Sequence, residues 1–280
     1  MPTSHARPEL LASTEWLAEN LLRPGIRVVD CRWRPDGSAA ELFAAGHIEG
    51  ATPLDWSTDL VVPQDGIPLQ LASPDAVAVA AAHAGVGDGT VAVLYDDSDG
   101  LYASRVWWSL RAYGFASSRI LDGGYRRWQA ADLPVASGPP SPETATFSPR
   151  ANLRVRVDAA DVRASVSDPT VEIVDARAPA EYRGQEGNTL RLGHIPGAVN
   201  VPAVLLTVPG SGEFRPADEL HRLLSGAGVR AGRRVVVYDG AGIGASKLAF
   251  ALALLGFDDV AVYDGGWSEW GERPELPVER

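Results

Sequence analysis

The place where this sequence could do chemistry is a glycine-rich turn between an apolar run and a helix-forming one: Val235-Val236-Val237-Tyr238-Asp239-Gly240-Ala241-Gly242-Ile243-Gly244-Ala245-Ser246. Glycine reaches backbone angles closed to other residues, so Gly240, Ala241, Gly242, Ile243, Gly244 and Ala245 can curl with successive N–H groups turned inward. The positive end of the following helix adds to this, and the result suits an oxyanion. Asp239 stands at the start of the turn. Its carboxylate could attack an electrophile, or it could fill the cradle itself as an internal anion. The second reading is favoured, and N–H bonds of that kind would hold its pKa low. The turn lacks both the Lys-Ser/Thr ending of a phosphate-binding P-loop and the GxGxxG spacing of a dinucleotide site.

Other reactive residue types are few. Cys31 is the single cysteine, which excludes an internal disulfide and a cysteine-built metal site. It is expected to be a packed, inert thiol. His47 and His194 both stand in Gly-His-Ile, where they are expected to tie a loop to its domain; no metal is expected. Asp30 with Arg32, and Asp175 with Arg177, read as hydrogen-bonding pairs at strand ends. Trp107, Trp108, Trp267 and Trp270 read as packing residues.

The elements that must position these residues come in two copies. Val28-Val29-Asp30-Cys31-Arg32 returns as Ile173-Val174-Asp175-Ala176-Arg177, and Gly46-His47-Ile48 as Gly193-His194-Ile195. Val93-Leu94-Tyr95-Asp96 returns as Val236-Val237-Tyr238-Asp239, and Leu121-Asp122-Gly123-Gly124 as Tyr263-Asp264-Gly265-Gly266. Matching blocks keep their order at offsets of 142 to 147 residues, too long for a solenoid period, so whole domains are duplicated. The expected division is residues 1–135, a Pro/Ser-rich linker 136–152, and residues 153–280. Strands are expected over 171–174, 234–238 and 260–263. Helices are expected over 217–224 after Pro216 and over 245–255 before Gly256. In the first copy they are expected from Ser73 to Gly85 and over 103–113 before Gly114. Near-continuous apolar strands imply parallel sheets covered on both faces, hence an α/β fold.

Composition agrees with a globular protein of 280 residues, 45% apolar and 22% charged. A net charge of −11 argues against nucleic acid or an anionic membrane as partner, while a local cradle could still hold a small anion. The first twenty residues lack the charge and apolar order of a signal peptide, and no apolar run reaches membrane-spanning length. A cytoplasmic location is the default expectation.

Asp175–Arg177, Gly193-His194-Ile195-Pro196-Gly197-Ala198-Val199-Asn200-Val201-Pro202 and Tyr263-Asp264-Gly265-Gly266-Trp267-Ser268-Glu269-Trp270 together resemble the tandem rhodanese-domain sulfurtransferases of thiosulfate and 3-mercaptopyruvate. The resemblance runs over essentially the whole chain and implies two rhodanese-like domains, the first non-catalytic. In that family the second-domain loop opens with a cysteine, typically in Cys-Gly-Ser-Gly-Val-Thr-Ala. This cysteine carries sulfur as a persulfide to a thiophilic acceptor. Here Asp239 takes the place of that cysteine, Ala241 that of the serine and Gly244 that of the threonine. Asp96, the matching residue of the first copy, follows the pattern of the family's inactive domain.

A carboxylate cannot form the S–S bond of a persulfide. The resemblance therefore implies a pseudoenzyme that has lost classical sulfur transfer. It could retain binding of a small sulfur anion such as thiosulfate or 3-mercaptopyruvate, or of a thiol-bearing acceptor protein, without a cofactor. Arg183 and Arg191 are, by the same resemblance, the candidates to hold an anionic donor. Two alternatives stand beside this reading: sulfur transfer through Cys31 or a partner's thiol, and hydrolytic or phosphoryl chemistry at Asp239.

Overall fold

Short β-branched runs build two sheets of the same design. The computed structural model describes residues 4–21, 23–140, 144–152 and 154–280. In the first half, β1 (Leu11–Ala12), β2 (Ile26–Asp30), β3 (Thr52–Pro53), β4 (Val91–Tyr95) and β5 (Ser118–Leu121) form a parallel sheet ordered β1-β5-β4-β2-β3. In the second half, β6 (Arg156–Val157), β7 (Val171–Asp175), β8 (Val199–Asn200), β9 (Arg234–Tyr238) and β10 (Val260–Tyr263) are ordered β6-β10-β9-β7-β8, again all parallel. The registers match too: Val28 pairs with Val93 as Ile173 pairs with Val236. The sequence repeat is thus a structural repeat, and the α/β class follows. Val235 to Tyr238 are fully buried, as strands covered on both faces must be.

Each central strand runs into a long helix, α1 (Leu101–Ala112) after β4 and α2 (Ile243–Leu254) after β9. Both begin two residues earlier than the apolar pattern predicts. Gly100 and Gly242 precede them in the left-handed region, at φ 76° and 80°, and turn the chain directly from the loop into the first helical turn. The helices over Pro74–His83 and Ala217–Gly226 lie where they are expected, the first capped by Ser73, whose hydroxyl accepts from Ala76 N. Every residue of α2 from Gly244 to Leu254 is buried. The reason is its position against α1: the Trp107 ring meets Phe250 edge-on at 5.0 Å, so the two halves share one core.

The stretch expected as a linker lies along the first half. Val135–Ala136 pairs antiparallel with His47–Ile48, Gly138 N donates to Ala44 O, Phe147 packs edge-on against Phe115, and Arg150 N donates to Tyr113 O. Residues 1–3, linker residues 141–143 and the expected start of the second domain at 153 lie outside the described residues. Among the described residues no helix is long and apolar enough to cross a membrane.

Candidate functional site

Asp239 closes the glycine-rich loop on itself. Its Oδ1 accepts from Gly242 N at 2.5 Å and Ala241 N at 3.2 Å, and its Oδ2 from Gly244 N at 2.7 Å. Asp96 does the same in the first half with four N–H donors, those of Ser98, Gly100, Tyr102 and Ala103 at 2.8–2.9 Å. The backbone of each loop is held from behind by the residue that follows the Asp-Gly-Gly block. Trp267 N donates to Asp239 O at 2.7 Å, and Tyr125 N to Asp96 O at 2.8 Å. Such close approach needs glycine: a Cβ on Gly266, at φ +54°, would stand 2.4 Å from Asp239 O.

The pKa of Asp239 departs from expectation. Burial is the largest influence and raises its carboxyl above the usual value, although the residue keeps a partly exposed face. The N–H bonds of Gly244 and Gly242 and the charge of Arg105 pull downward without prevailing, and the Asp175 carboxylate opposes them. The expected low pKa is therefore corrected: removal from water outweighs the N–H bonds.

The two halves brace each other's loops. Arg105 on α1 is fully buried and donates to Gly242 O at 3.2 Å, to Asp264 Oδ1 at 2.7 Å and to Leu69 O at 3.0 Å. Asp264 Oδ2 accepts from Leu71 N at 2.7 Å, and its repeat partner Asp122 accepts from Phe214 N at 2.8 Å. Each Asp-Gly-Gly block thus anchors a segment of the opposite half. Lys247, one helix position matched to Arg105, donates to Thr207 Oγ1 at 3.1 Å, and burial lowers its ammonium to about 8.

Above Asp239 opens a cavity of about 390 Å³ lined by Asp239, Ile243 and Gly244 from the second half and by Trp33, Trp56, Ser57, Leu69, Leu101 and Tyr102 from the first. Trp33, Trp56 and Tyr102 form a continuous aromatic wall, with ring centroids 5.4–5.8 Å apart. A carboxylate in a half-open loop at the floor of a cavity between two domains is the geometry of a ligand site.

The Rhodanese-like domain model matches residues 13–131 and 158–273, one copy on each sheet. The chain belongs to the rhodanese family. Among its relatives, a 3-mercaptopyruvate sulfurtransferase of Escherichia coli (strain K12) is 36% identical over 278 residues, 95% of this chain and 96% of that protein. The sulfur carrier protein TtuD of Thermus thermophilus is 32% identical over 288 residues, 98% of each. The crystal structure of SseA from Escherichia coli, a 3-mercaptopyruvate sulfurtransferase, superposes with a TM-score of 0.85 at 34% identity, covering 92% of this chain and 98% of that one.

Within this rhodanese frame the other candidate residues separate. Neither Arg183 nor Arg191 lines the cavity. Arg191 donates to the carbonyls of Leu276, at 2.5 Å, of Trp270, at 2.6 Å, and of Arg273, so its guanidinium staples the C-terminal segment. Arg183 is exposed, with its Nε on Gln185 at 3.3 Å. Cys31 is 0% exposed and burial pushes its thiol well up, which makes it a core residue. His47 Nδ1 meets Phe43 O and His194 Nδ1 meets Tyr182 O, both at 2.8 Å, so each ring ties its loop to a preceding carbonyl. The Asp30–Arg32 and Asp175–Arg177 pairs are buried bidentate pairs, and each Arg also donates to the carbonyl of Gly46 or Gly193 at 2.8 Å.

Sequence reasoning missed the first-half wall and the Arg105–Asp264 brace. The wall has no local signal, because its residues lie up to seventy positions apart. The brace had one: Ala103-Ser104-Arg105 and Ala245-Ser246-Lys247 each set a cation inside an otherwise apolar helix, at matching positions of the repeat.

Proposed function

We propose that this rhodanese has lost persulfide transfer and acts as a ligand-binding member of its family, holding a small molecule in the cavity between its halves. The observation that carries this reading is Asp239 itself. By the resemblance of its loop it stands where the family's sulfurtransferases carry the reactive cysteine, and its carboxylate is engaged by three N–H groups of its own loop. Oxygen in a carboxylate does not take up sulfane sulfur as thiolate does. The one thiol of the chain, Cys31, is sealed in the first-half core, which argues against a second route through it. Hydrolytic chemistry at Asp239 gains no support, since no second carboxylate lines the cavity among the described residues.

The test is thiocyanate formation from thiosulfate and cyanide, run on the native chain and on Asp239→Cys. Silence from the native chain with turnover by the variant is the expected result. It would mean that the fold and loop remain competent and only the nucleophile is gone. Turnover by the native chain would overturn the proposal.

A further inference from the structure

We infer that the cavity above Asp239 binds a small organic cation, an alkylammonium, in place of the sulfur anions that give related enzymes their names. This rests on the ligand-binding reading just proposed and names the chemistry of the same site.

Charge carries the inference. Three loop N–H groups that would otherwise face an anion are spent on Asp239, and that carboxylate brings a negative charge to the cavity floor. No Lys or Arg lines the cavity among the described residues. Two guanidiniums that act on its lining are already engaged. Arg105, which acts on Asp239, is held by Asp264 and two carbonyls. Arg34, which acts on Tyr102, forms a two-pronged pair with Asp97 at 3.0 and 2.5 Å and also donates to Trp33 O. Asp96 and Asp175 lie behind the lining and add negative field. A dianion such as thiosulfate would meet carboxylates with no free cation to offset them.

The opposite wall supplies what a cation needs. Trp33 and Tyr102, both half-buried, bring electron-rich rings to the cavity, Trp56 stacks on Tyr102 as their buried support, and Leu69, Leu101 and Ile243 extend an apolar surface that fits alkyl groups. A carboxylate facing an aromatic wall is the pairing that recognises alkylated ammonium groups. Of the two hydroxyls at the wall, those of Ser57 and Tyr102, the first is taken: Ser57 Oγ accepts from Trp33 Nε1 at 2.9 Å and donates to Asp55 Oδ1 at 2.6 Å. Choline, a small alkylammonium, is the probe.

Calorimetric titration of the full chain with choline, with thiosulfate as competitor, tests the inference. Saturable choline binding that thiosulfate does not displace is expected. It should weaken about tenfold in Tyr102→Leu, which removes one ring, and at least as much in Asp239→Asn, which removes the charge. Circular dichroism establishes that each variant is folded. Failure of the folded native chain to bind choline, displacement of choline by thiosulfate, or unchanged affinity in Tyr102→Leu would each overturn the inference. The thiocyanate assay reports separately on the loss of sulfur transfer: a silent chain that ignores choline defeats this inference alone, and an active chain defeats the earlier reading.

Discussion

Arg105 and Asp264 meet at 2.7 Å across the boundary between the two rhodanese domains, with side chains 0% and 1% exposed. Burying two charges is costly, and the pair is sustained by further hydrogen bonds: Arg105 also reaches two carbonyls through its terminal nitrogens, leaving only its Nε without a partner among the described residues, and Asp264 also accepts from Leu71 N. Breaking it from one side strands the other charge. Arg105→Met is expected to lower the unfolding free energy by about 3–5 kcal/mol. Arg105→Lys should recover little, since an ammonium lacks the planar fork that serves three acceptors. Urea unfolding checks this, and a loss below about 1 kcal/mol for Arg105→Met would refute it.

Lys247 gives the opposite result on removal. Burial lowers its pKa from 10.5 to about 8, against the favourable pull of Asp96 and Asp99. Between those values the unfolded chain holds a proton that the folded chain has released, so stability rises with pH through that window. Below about pH 8 the folded state carries the full cost of the buried ammonium, at most roughly 3 kcal/mol. Lys247→Met should therefore unfold at a higher temperature than the native chain at neutral pH, with the advantage shrinking as pH rises toward 10.5. Thermal melts of both proteins across this range decide it; parallel curves would contradict the assignment.

The loop tolerates side chains unevenly. Gly266→Ala would set a Cβ 2.4 Å from Asp239 O at a positive φ, and should cost about 2–4 kcal/mol while disrupting the loop. A Cβ on Gly240 meets nothing within 4 Å, so Gly240→Ala should be close to neutral. The contrast in melting temperature between the two variants is the measurement, and equal effects would show that the close approach is not rigid.

Cys31 should be silent to thiol reagents. Its sulfur is buried, its thiol is pushed well up by burial, and its nearest recorded partner is Val29 O at 3.7 Å. Ellman's reagent is expected to label one thiol per chain only after denaturant is added. Rapid labelling of the folded protein would reopen a sulfur-carrying role for this residue.

Much of this architecture was legible in the linear chain because it was written twice. Near-continuous apolar runs such as Val235–Val237 and the paired Asp-Gly-Gly blocks needed only local geometry to predict parallel strands and the turns after them. Helix starts were misplaced by two residues, since the left-handed turns at Gly100 and Gly242 are not visible as an apolar pattern. The proposed loss of the nucleophile likewise rests on local information, a matter of which atom Asp239 and Asp96 place at the start of each loop.

Tertiary structure alone decided the environment of that atom. Arg191 is a candidate by the family resemblance, yet the C-terminal segment folds back under it and its carbonyls accept the guanidinium's hydrogen bonds. The pKa of Asp239 rises because packing removes water, a long-range effect that N–H bonds within the loop do not reveal. The cavity exists because residues from Trp33 to Tyr102 in one domain are carried onto a loop near residue 240 of the other. Hydrophobic periodicity acts between neighbours in the chain and so determined the elements; charge, burial and the shape of the site arise between residues that only the docking of the two domains brings together.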